Sequence, residues 1–512
     1  MYPGVHAQCT PDKPAVVIAD SGRTVTYQEL DRNSSTLASA LRDLGLRKGD
    51  GVAVLADNAA EVFEIYWATM QSGLYITPVN RSLSAEEVAY IVDDCDAKVL
   101  FVSAALADLA AKVHEQLPMV EHAYSFGGDV EGYDSYESLL TAGGEPLSDR
   151  PRGADMMYSS GTTGRPKGVR AAMLPIQVDE PGDAVTGLLA HAFKVGADDI
   201  YLQPAPIYHA APLKWSGAIH ALGGTVVMME KFDAEGALAA IEKYGVTIGQ
   251  FVPTMFVRML QLPEQKRAAY DTSSIRLAVH AAAPCPPEVK QAMIDWWGPV
   301  LFEYYGSTEQ NGMTFISTPE WLTKRGSVGK AVIGEVHICD DDGIELPPGE
   351  VGSVYFARDT MPFTYYKDDK KTEDAKHPQH PTWTTVGDLG YVDDDGYLFL
   401  TDRKSFVIIS GGVNIYPQEI ENVLTMHEAI YDVAVIGVPD TEMGQSVKAV
   451  VQLKDGREPS AELADEIIEY VRERIARFKA PRSVDFVDQL PRTPTGKLVK
   501  RELEKSYLAQ GA

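Results

Sequence analysis

Residues Tyr158 to Val169 read Y-S-S-G-T-T-G-R-P-K-G-V. Hydroxyls at Ser159, Ser160, Thr162 and Thr163 are interleaved with Gly161, Gly164 and Gly168, and Lys167 follows Pro166. Glycines let successive backbone N–H groups turn inward as an anion-binding nest, and small hydroxyls add donors without bulk. Such a loop can hold a polyphosphate. It is not the Walker A loop, because a G-x-x-x-x-G-K-[ST] pattern counted from Gly161 fails at Pro166 and Gly168. A bare Gly/Ser/Thr run is ordinarily a solvated turn. The lysine behind Pro166 and the distant motifs below set this one apart.

The chain before this loop alternates helix and strand signals. Thr26-Tyr27-Gln28-Glu29 is a capping-box pattern, after which Leu30, Leu37, Leu41 and Leu44 share one helical face and Gly45 supplies a stop. Residues 51–55 (G-V-A-V-L) read as a buried strand, Ser84-Ala85-Glu86-Glu87 opens a second capped helix, and residues 98–102 read as the next strand. Strands alternating with helices imply parallel pairing through right-handed crossovers, so the expected class is α/β. Later, Asp340-Asp341-Asp342-Gly343 and Asp393-Asp394-Asp395-Gly396 each separate apolar runs. Neither has the alternating acidic ligands and closing Glu of a calcium loop, so both read as hairpin turns in a small antiparallel, barrel-like part.

After Arg403 the pattern restarts. Pro417 heads a helix through Leu424, residues 433–438 and 447–453 read as strands, 464–476 as a helix and 484–487 as a short strand. This predicts a small α+β domain over 403–512 behind a large domain over 1–402, with the boundary near Asp402 to Ser405.

Composition bounds the partners. A chain of 512 residues can bury a large core, and a net charge of −27 without any Lys/Arg-rich run argues against nucleic acid. In so anionic a chain a polyphosphate site must be locally positive, which draws attention to Lys167, Arg403 and Lys497. Cys9, Cys95, Cys285 and Cys339 share no C-x-x-C spacing and suggest thiols in a reducing cytosol. No basic start with an apolar stretch precedes the first helix signal, and no apolar run reaches membrane-spanning length, so a cytoplasmic location is expected. His377 and His380 sit in a charged, Pro-rich segment without accompanying ligands and read as exposed loop rather than metal site.

Four further segments complete the pattern: Tyr304-Tyr305-Gly306-Ser307-Thr308-Glu309; Thr385-Val386-Gly387-Asp388; Asp402-Arg403-Lys404 with Ile409-Ser410-Gly411-Gly412 and Asn414-Ile415-Tyr416-Pro417; and Pro491-Arg492-Thr493-Pro494-Thr495-Gly496-Lys497. Together with the 158–169 loop they resemble, in order, the motifs of the adenylate-forming superfamily of acyl-CoA synthetases, peptide-synthetase adenylation domains and beetle luciferases. The match spans nearly the whole chain.

The resemblance implies a two-step reaction. A carboxylate attacks the α-phosphorus of ATP, giving acyl-adenylate and pyrophosphate, and a thiol, usually that of coenzyme A, then displaces AMP. It implies that Ser159, Ser160, Gly161, Thr162, Thr163, Gly164 and Lys167 cradle the β- and γ-phosphates. Thr308 would donate to the α-phosphate, and Glu309 would hold Mg²⁺, which favours carboxylate and phosphate oxygens. Ala283, Tyr305 and Gly306 fall at the nucleotide, with the Tyr305 face against adenine. Asp388 would accept the ribose hydroxyls and Arg403 would contact the ribose. Lys497 would bridge acid and ATP during adenylation only, and would then leave as the mobile C-terminal domain swings. That swing would bring Gly411 and Gly412 beside the thiol.

Two positions depart from the family. Ser405 stands where a Lys or Asp usually forms the pivot, and Ala281-Ala282-Ala283-Pro284 replaces glycines common in relatives, narrowing that wall of the acyl pocket. His209, in Pro206-Ile207-Tyr208-His209-Ala210, matches a position that relatives place beside the acid. Amino-acid-activating relatives carry an Asp near there; its absence, with apolar Trp215, Phe251, Val252 and Phe256 around, favours a hydrophobic fatty, aryl or polycyclic acid. The leading expectation is a free-standing acyl-CoA synthetase, with a homodimer allowed. The alternatives are an adenylating enzyme that loads a separate carrier protein or forms an amide, and a catalytically dead nucleotide sensor. The chain ends fifteen residues after Lys497, leaving no room for a fused carrier. Retention of Lys497, Glu309 and the full phosphate loop speaks against a sensor, because a pure binder has no need of the mobile lysine.

Overall fold

The Thr26 hydroxyl accepts the Glu29 N–H at 3.2 Å while the Glu29 carboxylate accepts the Thr26 N–H at 2.9 Å. This capping box opens the helix Tyr27–Asp43, and Ser84 with Glu87 repeats it at the helix Ala85–Asp94. In the computed structural model, residues 1–117, 120–142, 144–159, 166–492 and 498–510 are described, the last with side chains to 507. Leu30, Leu37 and Leu41 are buried as expected, but Leu44 is only half-buried. The chain turns at Gly45 (φ +94°), and Leu46 takes the core position instead.

The chain divides into two units, the first comprising residues 1–251, 262–278 and 363–373. It contains a seven-stranded sheet in the order Asp134–Ser135, His122–Phe126, Ala97–Ser103, Gly51–Leu55, Tyr75–Val79, Ala154–Ser159, Lys167–Arg170. All neighbours pair in parallel except the last two, which form an antiparallel hairpin. Gly51–Leu55 is buried along its whole length, as a strand covered on both faces must be. A second run of strands, Pro14–Ile18, Thr225–Met228, Ile200–Gln203 and Ile248–Phe251, is also parallel.

The second unit comprises residues 252–261, 279–362 and 374–512. Glu335–Cys339, Gly352–Ala357, Asp388–Val392 and Leu398–Arg403 form an antiparallel sheet, with Trp383–Thr384 on Gly352–Ala357. Both Asp-rich segments are hairpin turns. Asp340 Oδ1 accepts the N–H groups of Asp342 and Ile344, and Asp393 Oδ1 accepts those of Asp395 and Tyr397. His380 is exposed as expected, but His377 is not. It is 3% exposed, its Nε2 lies 2.9 Å from the Gly343 carbonyl, and its Nδ1 accepts the Gln379 and His380 N–H groups. His377 is thus a structural plug that ties the first Asp-rich turn to the segment before Asp388.

After Arg403, Ile430–Asp440 and Gly444–Leu453 form a long antiparallel pair, with Ser483–Phe486 parallel to the second strand. Val433 and Val435 enter one core with Ile420 and Leu424 of the helix Pro417–Leu424, while Ala434 and Ile436 enter another with Leu490 and Leu503. The period of two thus buries both faces. The next helix spans Ala461–Arg472, starting earlier than expected because the Ser460 hydroxyl caps it by accepting the Leu463 N–H. No helix among the described residues is long and apolar enough to cross a membrane.

Candidate active site

Tyr305 and Gly306 end the strand Leu301–Gly306, which returns antiparallel as Met313–Ser317 with Gly306 opposite Met313. Between them the Gln310 N–H donates to the Ser307 carbonyl at 3.1 Å, with Gln310 at φ +53°. Thr308 and Glu309 therefore sit at a hairpin tip, Thr308 half-buried and Glu309 8% exposed. The Ser307 hydroxyl donates to Asn311 Oδ1 at 2.9 Å, and the Asn311 amide donates to the Thr384 carbonyl at 3.3 Å. These bonds tie the tip to the segment that leads into Asp388.

That segment makes its own turn. The Thr385 hydroxyl accepts the Gly387 N–H at 3.1 Å, and Gly387 holds φ +86°, which a side chain would resist. Asp388 then begins a strand whose hairpin register, set across the 393–396 turn, places it opposite Arg403. Arg403 Nε lies 3.0 Å from Asp388 Oδ1, and the Tyr305 hydroxyl donates to Oδ2 at 2.6 Å. Burial first, and the Asp388 charge second, hold the Tyr305 phenol well above its ordinary pKa, so it remains a donor at neutral pH. Residues from three separate motifs thus meet at one carboxylate that is itself 8% exposed.

In the first unit, the hairpin Ala154–Ser159/Lys167–Arg170 carries the stem of the glycine-rich loop, with Ser159 opposite Lys167. Ser160, Gly161, Thr162, Thr163 and Gly164 lie outside the described residues. The Lys167 ammonium donates to Asp368 Oδ2 at 2.9 Å and lies 5.8 Å from the Tyr365 ring centroid. His209 occupies the cap position before the helix Ala210–Leu222, half-buried, its ring 4.5 Å from that of Tyr208.

Ala282 holds φ +74°, a conformation costing an L-residue roughly 1–2 kcal/mol. The departure from glycine therefore leaves backbone strain beside half-buried Ala283. Gly411 (φ +57°) and Gly412 (φ +79°) are the two-residue turn between Ile408–Ser410 and Val413–Ile415. A hairpin turn with both central residues left-handed demands glycine on its own account.

Lys497 lies outside the described residues. Its flanks are anchored: Arg492 bridges Leu498, and its guanidinium pairs with Asp432 at 2.6 Å. Buried Lys500 lies 2.8 Å from Glu421, whose same oxygen accepts the Val435 N–H at 2.8 Å. Asp402 faces two ways, accepting the Arg403 N–H at 2.7 Å and the Gln418 N–H at 3.1 Å. Sequence reasoning missed Asp368, Glu421 and Lys500. The one available signal was that Glu421 and Lys500 each sit within a few residues of a quoted motif.

Residues 5–366 match the family model described as AMP-binding enzyme, and residues 419–497 match the AMP-binding enzyme C-terminal domain. The chain is 33% identical over 516 residues to the fatty acid–[acyl-carrier-protein] ligase ScoC of Streptomyces coeruleorubidus, covering 99% of this chain and 96% of that protein. It is 33% identical over 514 residues to a feruloyl-CoA synthase of an Amycolatopsis species, covering 99% and 98%. Among solved structures, the anthranilate CoA ligase AuaEII in complex with anthranoyl-AMP superposes with a TM-score of 0.84 at 26% identity, covering 99% of this chain and 97% of that one. The chain belongs to the AMP-binding, adenylate-forming enzyme family. It is an AMP-forming acid–thiol ligase that uses ATP.

Proposed function

We propose that this enzyme is an acyl-CoA synthetase that adenylates a hydrophobic carboxylic acid and passes the acyl group to coenzyme A. The observation that carries the nucleotide part is the Tyr305–Asp388–Arg403 cluster. A carboxylate offers about four lone-pair positions. Two are taken by the Tyr305 hydroxyl and Arg403, so two remain for a pair of vicinal hydroxyls such as those of a ribose. Glu309, a mostly buried carboxylate on a hairpin tip, is the right donor for Mg²⁺, which takes one or two carboxylates and completes its shell with phosphate and water. That ion would neutralise charge on the phosphates. Ser159 to Lys167 would orient the β- and γ-phosphates, Thr308 would donate to the α-phosphate, and Lys497 would meet the developing charge.

The 1–402 and 403–512 segments would act as separate domains turning about Asp402 to Ser405. The two-way bonding of Asp402 supports this, since from within the strand Leu398–Arg403 it accepts from its neighbour Arg403 and from Gln418 in the helix Pro417–Leu424. In this reading Gly411 and Gly412 flank the thiol path, and a cytoplasmic homodimer is the working assembly. One specific observation favours a second reading, in which the acceptor is a separate carrier protein: ScoC is named as a carrier-protein ligase.

The acid side follows from His209 and Tyr208. Burial raises the Tyr208 phenol well above its usual range, so this side chain stays neutral and offers no charge to a substrate ammonium. A panel of fatty, aryl and polycyclic acids and free amino acids, incubated with ATP, Mg²⁺ and either coenzyme A or a holo carrier protein, tests this by mass-spectrometric detection of thioester. Neutral-tailed acids with coenzyme A are expected to react best. Turnover of a free amino acid alone would overturn the substrate class, and thioester on the carrier alone would overturn the acceptor.

A further inference from the structure

The segment 363–373 lies between two stretches of the second unit in sequence, yet it packs as part of the first. Its bonds strap it to the stem of the glycine-rich loop. The Tyr366 N–H donates to the Gly168 carbonyl at 2.8 Å, and Tyr365 bridges Val169. The Tyr366 hydroxyl donates to Asp96 Oδ2 at 2.5 Å, and the Lys367 ammonium donates to Asp96 Oδ1 and to the Asp94 carbonyl, each at 2.8 Å. Lys367 (φ +55°) and Asp96 (φ +51°) both occupy the left-handed region. Two strained residues joined by an ion pair mark a segment held in place at a cost, a feature that clusters at functional sites.

Asp368 is the next residue on this strap, and its two carboxylate oxygens do different work. Oδ1 accepts the Lys371 N–H at 2.9 Å, capping the start of the helix Asp369–Asp374, and Oδ2 accepts the Lys167 ammonium at 2.9 Å. The cap sets the orientation of the carboxylate, so the lysine is held by a group that is itself held. The Lys167 hydrogen bond, then the Lys371 N–H, keep the Asp368 carboxyl below its ordinary pKa, so it is ionised at neutral pH. An ammonium has three donors. One is committed to Asp368, and Lys167 lines an open cleft of about 330 Å³ together with Tyr90, Asp94, Pro166, Gly168, Tyr366 and Lys367.

We propose that Asp368 is a positioning residue for the phosphate-binding lysine: anchored by its helix cap, it holds the Lys167 ammonium at the loop stem so that the polyphosphate of ATP meets a cation already in place. The inference rests on the reading of Lys167 given under the proposed function. A bare carboxylate there would repel ATP; paired with Lys167 it costs little charge and removes the freedom of a long side chain.

Asp368→Asn keeps the cap, since Asn caps as well as Asp, and removes the charge that holds the lysine. The ATP KM is expected to rise about fivefold, the scale of a partly exposed charge pair, while the acid KM and thioester formation from supplied acyl-adenylate stay unchanged. Asp368→Glu should recover part of the loss, and Asp368→Asn should add nothing in a Lys167→Met background. An unchanged or lowered ATP KM in Asp368→Asn overturns the proposal, as does full additivity with Lys167→Met. Should Lys167→Met itself leave the ATP KM unmoved, the phosphate-loop reading fails first. Should Lys167→Met raise it and Asp368→Asn not, the positioning role alone fails.

Discussion

Lys497→Ala is expected to lose most adenylation activity, by roughly two to three orders of magnitude in rate, the cost of removing one electrostatic stabiliser from developing charge. Given chemically made acyl-adenylate and coenzyme A, the same variant should still form thioester at close to the normal rate. In the proposed cycle the lysine has left the cleft by then. The fold should survive, because the stem around residues 493–497 is held by other groups, namely the Arg492–Asp432 and Lys500–Glu421 pairs. Rapid-quench measurement of each half-reaction separates the outcomes. Equal loss in both would contradict a domain movement between the steps, and no loss in either would make Lys497 a surface charge.

Asp388→Ala is expected to weaken ATP use by roughly ten- to a hundredfold, with the acid KM little changed. Each hydrogen bond to a charged group contributes about 1.5–3 kcal/mol. In the free protein the Asp388 carboxylate already holds Arg403 and the Tyr305 hydroxyl. Its removal therefore releases the two side chains that, under the proposed function, would face the nucleotide, and removes the acceptor itself. The Tyr305 hydroxyl loses its acceptor in a largely buried setting, so some global stability, about 1–3 kcal/mol, should go too. Thermal unfolding of the variant, run beside its ATP titration, distinguishes a folded enzyme with poor ATP binding from an unfolded one. A folded variant with wild-type ATP KM and kcat would remove Asp388 from the site.

How much of this was legible depends on range. Local signals were read well: capping boxes at Thr26 and Ser84, Pro417 at a helix start, and the Asp-rich turns all act within four or five residues. The meeting of Asp388 and Arg403 was within reach of the same reasoning. Both flank the 393–396 turn, and a hairpin closed there with one bulge sets them opposite each other. Its dependence on register is strict, because a slip of one residue would turn Arg403 to the other face. The Lys167–Asp368 and Lys500–Glu421 pairs were not legible, for they join residues 201 and 79 positions apart whose meeting depends on tertiary packing. His377 misled because a Pro-rich, charged neighbourhood usually means exposure, whereas here its ring accepts two backbone N–H groups in a buried pocket. Gly411 and Gly412 show the converse: a two-residue turn explains both, so their presence alone is weak support for a role at the thiol.

The central claim is that the carboxylic acid is activated as its adenylate at the site built around Asp388, Thr308 and Glu309. Exchange of labelled pyrophosphate into ATP, measured with and without a responsive acid and with Mg²⁺ present or chelated, tests this most directly. The expected result is exchange that requires both acid and Mg²⁺, needs no thiol, and falls sharply in Lys497→Ala. Acid-dependent conversion of ATP to ADP and phosphate, with no label entering ATP, would contradict it.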